Sequence, residues 1–209
     1  MAADAKWRSK MKDVFTGKLV RLSAFDPAEM SKAYTRWNLN SEYFRLLSSS
    51  ARPLKSAKSE AKWLEEEVAK MSLASYFFSI RTLAEDKLIG DLGLDVVGWA
   101  GRDAFVGLGI GETEYWGKGY GTDVMNVLLR FAFTELNLRR VSLSVFEYNP
   151  RAIRSYEKSG FRHEGHVRNA LNREGRRWDA VYMGILREEW LGLGTDTDIV
   201  LDRDHEHRN

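Results

Sequence analysis

The sequence contains no cysteine. Disulfides, thiolate metal sites and an acyl-cysteine intermediate are thereby excluded together. It also lacks any apolar run near the roughly 20 residues that a membrane-spanning helix needs. Its first dozen residues are charged and hold no signal-peptide core. The absence of thiol chemistry and of targeting segments fits a cytoplasmic setting. Charge of one sign is scarce: the net charge is +2, too small to argue for nucleic acid or an anionic membrane as partner. There is no internal repeat and no low-complexity tract. What remains is a chain of 209 residues with 44% hydrophobic content, enough for one domain with a sizeable core.

The stretch Glu114-Tyr115-Trp116-Gly117-Lys118-Gly119-Tyr120-Gly121-Thr122 organises the rest. An apolar run, Ala104 to Ile110, leads into it, and an apolar helical pattern, Val124 to Leu138, leaves it. This is strand, glycine loop and helix start. Alternate glycines permit φ > 0 and leave backbone N–H groups unshielded, which at a helix start makes an anion site suited to phosphate or pyrophosphate. The plainer reading is a tight connection that binds nothing. A Walker loop is excluded because Lys118 is followed by Gly119. A dinucleotide fingerprint is excluded because Thr122 stands where its third glycine would be.

The flanking chain reads as alternating strands and helices. Lys18 to Leu22 is a first strand. Asp26-Pro27-Ala28-Glu29 opens a helix with Asp as N-cap and Pro at the first turn. A short helix falls within Asn38–Ser50, and Ser56 opens another, with Ala61, Leu64, Val68 and Met71 on its buried side. Tyr76–Thr82, Leu88–Val97 and Ala104–Ile110 are three successive antiparallel strands. Gly107, Gly109 and Gly111 indicate a bulge or close backbone approach. Val141–Phe146 pairs in parallel with Ala104–Ile110, with the intervening helix as crossover. Phe161–Val167 and Arg177–Leu186 are the last strands, joined by a polar connection over Asn169–Arg176. The tail beyond residue 191 is polar and expected to be disordered. His205 and His207 within it read as solvated rather than as metal ligands, so no metal site is expected.

The second informative stretch runs from Asn149 to Phe161 (Asn-Pro-Arg-Ala-Ile-Arg-Ser-Tyr-Glu-Lys-Ser-Gly-Phe). Asn149 caps a short helix, Pro150 takes its first position and Gly160 ends it. Ala152 and Tyr156 share one face.

Together the two stretches resemble the GNAT N-acetyltransferases. The loop is similar to their acyl-CoA pyrophosphate loop, Arg/Gln-x-x-Gly-x-Gly/Ala, with Trp116 in the Arg/Gln place and Gly119 and Gly121 matching. Tyr-Trp-Gly-Lys-Gly-Tyr-Gly looks like the form found in the branch containing ribosomal-protein N-terminal acetyltransferases and spermidine acetyltransferase. The resemblance covers about residues 17–190 as a single domain. It implies an α+β fold: a twisted mixed sheet of six or seven strands flanked by helices, with the central parallel strand pair splayed. It further implies acetyl-CoA as co-substrate, without a metal. Leu108, Gly109, Ile110, Trp116, Gly117, Lys118, Gly119, Tyr120, Gly121, Thr122, Asn149, Ala152 and Tyr156 would hold it.

The activity implied is acetyl transfer to a primary amine by direct attack, with Tyr156 as hydrogen-bond donor to the departing sulfur. The core aromatic is the competing reading for Tyr156. Many ribosomal-type relatives carry a glutamate where this chain has Phe105. Glu112 is the base expected instead, with Glu114 and Asp91 also near, although a surface carboxylate is the commoner reading for it. Trp37, Glu42, Tyr43 and Asp179 are the acceptor-site candidates. The acceptor is a small-molecule amine, a polyamine or a protein N-terminus, with no nucleic acid and no membrane as partner, and a homodimer is compatible with the reading. Two alternatives stay open: a non-catalytic acyl-CoA-binding module of the same fold, and generic nucleotide binding through the loop.

Overall fold

A computed structural model describes residues 13–51, 54–70, 72 and 74–193. Strand β1 (Val20–Ala24) is followed by three helices: α1 (Pro27–Trp37), α2 (Ser41–Leu47) and α3 (Ala57–Ala69). Next come β2 (Ser75–Thr82), β3 (Leu88–Gly98) and β4 (Asp103–Ile110), then helix α4 (Tyr120–Arg130), β5 (Arg140–Phe146) and α5 (Pro150–Lys158). The hairpin β6 (Arg162–Arg173) and β7 (Arg176–Leu186) and a final helix α6 (Arg187–Gly192) complete the order. The strands form one seven-stranded sheet in the order β1-β2-β3-β4-β5-β7-β6. The family-type sheet expected from the sequence is therefore present. The tail beyond residue 193 and its two histidines lie outside the described residues, as does Met71.

The helix starts read from sequence are the ones that form. The Asp26 side chain accepts the Ala28 N–H, Ser56 accepts that of Ser59, and Asn149 accepts that of Ala152. Helix α4 begins at Tyr120, directly from the glycine loop, and continues through a π-helical turn over Phe131–Glu135. Met125, Leu128, Leu129, Ala132 and Phe133, spaced to share one helical face, are all fully buried in the main core.

Two expectations need correction. The polar stretch Asn169–Arg176 is not a loop. Strand β6 continues to Arg173, and only Glu174 and Gly175, both with positive φ, make the turn. Residues Arg162 to Ala170 are exposed, so this strand carries none of the apolar alternation that marks a half-buried one. The glycines of β4 do not form a bulge either. Gly107 faces Gly93 and Gly109 faces Asp91 in unbroken register. The other expectation, close approach, holds at two of them: a Cβ on Gly109 would stand 3.0 Å from the Tyr43 hydroxyl and one on Gly111 would overlap the Trp37 indole, whereas one on Gly107 would meet nothing within 4 Å.

Strands β4 and β5 pair in parallel only from Asp103–Phe105 to Arg140–Ser142. Beyond that point β4 stays with β3, and β5 stays with β7 as far as Phe146. The sheet therefore splits along its middle. The split is bordered by the loop and the start of α4, whose position is fixed by Asp123. This carboxylate, 8% exposed, accepts the N–H groups of Lys18 at 2.9 Å, Leu19 at 2.7 Å and Val20 at 3.0 Å. It thus joins the lead into β1 to the first turn of α4, and the absence of a Cβ at Gly17 leaves room for it. Asp123→Ala should lower unfolding free energy by about 3–5 kcal/mol, because it leaves three backbone donors unsatisfied. Asp123→Asn, which keeps one acceptor oxygen, should cost less. Chemical denaturation of the three proteins measures the order.

Candidate active site

Where the sheet splits there is a cleft of about 380 Å³. Its walls are β4 from Val106 to Ile110, β5 from Ser144 to Phe146, the glycine loop, the exposed side of α5 and the end of α2. The β5-facing edge of β4 has no strand partner past Phe105, so its backbone groups are available to a guest that lies along it.

The loop is held in a strained form that only glycine adopts easily. Gly117 has φ +72° and Gly119, the N-cap of α4, has φ +90°. Trp116 closes one side by donating its indole N–H to the Ile110 carbonyl at 2.7 Å. The guanidinium of Arg151 lies over the Trp116 ring, 3.7 Å from its centroid. On the other side, the hydroxyls of Thr122 and Ser155 are 3.0 Å apart, and Gly121 leaves the space between them. Helices α4 and α5 therefore meet through side chains at the mouth of the cleft.

Most of the residues expected at the co-substrate are brought together. Leu108, Gly109, Ile110, Trp116, Gly117, Gly119, Gly121, Thr122, Asn149, Ala152 and Tyr156 all line this one cleft, whereas Lys118 and Tyr120 do not. Tyr120 instead packs edge-on against Tyr115 at 4.8 Å. The sequence reading missed Arg151, Arg154 and Lys158, which also line the cleft. Their spacing of three and four residues places them on one helical face, a signal the sequence did contain. Tyr156 is 8% exposed, and among the described residues its hydroxyl makes no hydrogen bond. Burial pushes its pKa up to about 12, so the phenol keeps its proton.

The carboxylate singled out as base is committed elsewhere. Glu112 accepts the Trp37 indole N–H at 2.8 Å and a guanidinium N–H of Arg36, and Lys87 is near. Burial alone would raise its pKa, but these hydrogen bonds and charges outweigh burial and hold it below the usual carboxylate value. It does not line the cleft. Trp37 is a core residue, 2% exposed, rather than a wall of an acceptor site. Asp179 accepts the Asn169 N–H at 2.9 Å within the β6–β7 hairpin and lines no hollow described here. Tyr43 does line the cleft, and Glu42 lines an adjoining hollow of about 360 Å³ between α2 and the hairpin tip. In that hollow Arg45 pairs with Glu174, and Arg173 donates to the carbonyls of Arg45 and Ser48. Among the described residues no group of three metal-ligating side chains is found, and no helix is long and apolar enough to cross a membrane.

Residues 20–162 match the model of the acetyltransferase (GNAT) domain family. The chain is 28% identical to the SPbeta prophage-derived uncharacterized N-acetyltransferase YokL of Bacillus subtilis, over 84% of this chain and 94% of that protein. It is 35% identical to the spermidine N(1)-acetyltransferase of Vibrio cholerae, over 52% of this chain and 62% of that protein. The structure of the Vibrio cholerae spermidine N-acetyltransferase in complex with CoA and spermine superposes with a TM-score of 0.66 at 26% identity, covering 82% of this chain and 98% of that one.

The anchoring of Glu112 has a pH signature. A carboxyl whose pKa is lower folded than unfolded stabilises fully above the unfolded value, and that stabilisation is lost as pH falls through the folded value. Glu112→Gln should therefore be less stable than the parent at neutral pH, by about 1–2 kcal/mol. The gap should close on acidification below roughly pH 4. Melting temperatures from roughly pH 3 to about pH 7, across the carboxylate titration range, check the convergence.

Proposed function

The chain belongs to the GNAT acetyltransferase family, and from that premise we propose that it moves acetyl from acetyl-CoA to a singly charged primary amine by direct attack in the split of the sheet. One observation carries the reading. Two motifs about 30 residues apart in sequence, the glycine loop and the Asn149–Gly160 helix, close on a single cleft that also exposes the unpaired edge of β4. The residues fit the co-substrate. The loop N–H groups and the start of α4 suit a pyrophosphate. Arg151, Arg154 and Lys158 add positive charge along the same wall. The free edge of β4 suits the amides of a pantetheine arm, which would lie there like an added strand. A backbone N–H on that edge, near Leu108–Ile110, would stabilise the oxyanion as the carbonyl is attacked. We assign all of this to one domain over residues 17–190.

The amine must attack neutral, and an alkyl ammonium has a pKa of about 10. Positioning in the cleft supplies much of the acceleration. The departing sulfur needs a donor, and Tyr156 is a cleft phenol whose hydroxyl has no other hydrogen-bond partner among the described residues. With its pKa near 12, the hydroxyl acts by donating a hydrogen bond rather than by surrendering its proton. Its presence argues against a module that binds acyl-CoA without transfer. The acceptor would approach over α2 and the hairpin tip. Carboxylates and guanidiniums are balanced there, Glu42 and Glu174 against Arg45 and Arg173, which suits an amine of one charge better than a polyamine.

Free-thiol release from acetyl-CoA with spermidine, benzylamine and a short peptide bearing a free α-amine tests transfer and ranks acceptors. No release above the protein-free rate with any amine would support the binding-module alternative. Tyr156→Phe keeps the ring and should leave CoA affinity nearly unchanged. Its kcat and kcat/KM should fall together by roughly 10²–10⁴-fold, as for an interaction made in the transition state. Gly119→Val should do the reverse: a Cβ at φ +90° is strained, so CoA affinity drops strongly in a calorimetric titration with the fold intact.

A further inference from the structure

The cleft is lined by cations and by no carboxylate. Arg151, Arg154 and Lys158 stand along one wall, all from α5, and among the described residues no Asp or Glu side chain borders the same space. Glu157, the acidic residue of α5, does not border it either; its carboxylate lies 2.9 Å from His163 Nε2 on β6. Charges of one sign without counter-charges raise the potential of a cleft, and its low-dielectric walls focus the field on a guest.

The cations are not equivalent. Arg151 is engaged, its guanidinium lying over the Trp116 ring. Burial lowers its pKa, and the Glu42 carboxylate on α2 acts on it in the opposite sense. Arg154 and Lys158 are exposed, and among the described residues their side chains make no hydrogen bond, ion pair or ring contact.

Their place is set by the contact of α5 with the glycine loop. Ser155, which lies between them in sequence, has its hydroxyl 3.0 Å from that of Thr122, and Ser159 donates to the Thr122 carbonyl at 3.4 Å. Thr122 stands in the first turn of α4, directly after the loop glycines. Tyr156, the next residue after Ser155, is buried in the core. Arg154 and Lys158 therefore flank the contact on its solvent side, beside the loop. The loop by itself suits a pyrophosphate, with unshielded N–H groups and the positive end of a helix. A pyrophosphate linkage carries a single negative charge on each phosphate, whereas a phosphate monoester carries about 1.5 to 2 at neutral pH. Two unpaired cations beside the loop match a further group of the second kind. In a CoA thioester that group is the 3′-phosphate of the ribose, which neither dephospho-CoA nor the phosphopantetheine arm of an acyl-carrier protein possesses.

We propose that Arg154 and Lys158 bind the 3′-phosphate of the acyl donor, so that the protein takes a CoA thioester and discriminates against the same acyl group on dephospho-CoA or on a carrier protein. This rests on the co-substrate reading above. Arginine offers a planar fork to two phosphate oxygens, and lysine adds a mobile point charge. Both side chains are exposed, so the selectivity weakens as salt screens them.

Calorimetric titration with CoA and with dephospho-CoA, which lacks only the 3′-phosphate, tests this without catalysis. Dephospho-CoA should bind the parent protein about 10- to 100-fold more weakly at low salt, the range for two charge-assisted contacts at an exposed site. The gap should narrow between roughly 0.05 M and about 0.5 M salt. Arg154→Gln combined with Lys158→Gln should lower CoA affinity by the same factor and leave dephospho-CoA affinity nearly unchanged, so that the two ligands converge. Lys158→Gln alone, in the exposed last turn of α5, should close part of the gap and keeps the assignment testable if the double variant does not fold. Equal affinity of the parent for the two ligands overturns the proposal and leaves the co-substrate reading intact. A variant that loses affinity for both ligands alike also overturns it, because the cations would then attract anions without reading the 3′-phosphate. No binding of CoA to the parent would sink the proposal and the co-substrate reading together.

Discussion

The constraint on which the site depends is the short reach of the parallel pairing between β4 and β5. Three residues on each strand pair, and then the strands part. Backbone groups inside a protein are normally all paired, because an unmet N–H or carbonyl is costly. Here each strand keeps its outer partner, β3 or β7, and gives up its inner one. The sheet stays rigid on both sides of the split while two inner edges remain open. A guest with its own amides can complete them. The split is also what places a helix start at the cleft mouth, since the crossover helix α4 must begin at the end of β4 and return to β5.

Charge at the cleft is arranged around an aromatic. At the loop position where the general family motif has Arg or Gln, this chain has Trp116. The indole spends its N–H on the Ile110 carbonyl and offers its face to the Arg151 guanidinium. A cation therefore still stands beside the loop, but it comes from α5. Arg154 and Lys158 extend it along the same helix. The loop glycines, meanwhile, are free to turn without carrying charge. Conformation and electrostatics have been divided between two segments, so either can change without the other.

The fold and much of the site were legible because local signals agreed with the global arrangement. Caps at Asp26, Ser56 and Asn149 marked helix starts, and the glycine loop and the Asn149 helix carried their own spacing. What was not legible depended on contacts between distant elements. The exposed strand β6 has no apolar alternation because no layer covers Arg162–Ala170. Nothing in the sequence around Arg151 announces that Trp116 stands beside it. Trp37 and Glu112 are 75 residues apart, and nothing local announces that they bond.

The carboxylates make the same point about mechanism. Glu112 lies close to the glycine loop in sequence, yet its hydrogen bonds to Trp37 and Arg36 turn it into the joint between α1 and the end of β4. A carboxylate held below its usual pKa by such partners is a weaker base than a free one. Asp91 lies 18 residues before Gly109 in the chain, but antiparallel register sets the two side by side. The glycine then decides the outcome: with any larger residue at 109, a side chain would fill the space that the Tyr43 hydroxyl and Asp91 share. Proximity to a motif along the chain therefore does not decide what a carboxylate does in a sheet-built site. Cross-strand register and the positions of missing side chains decide it, because they set which groups a side chain meets.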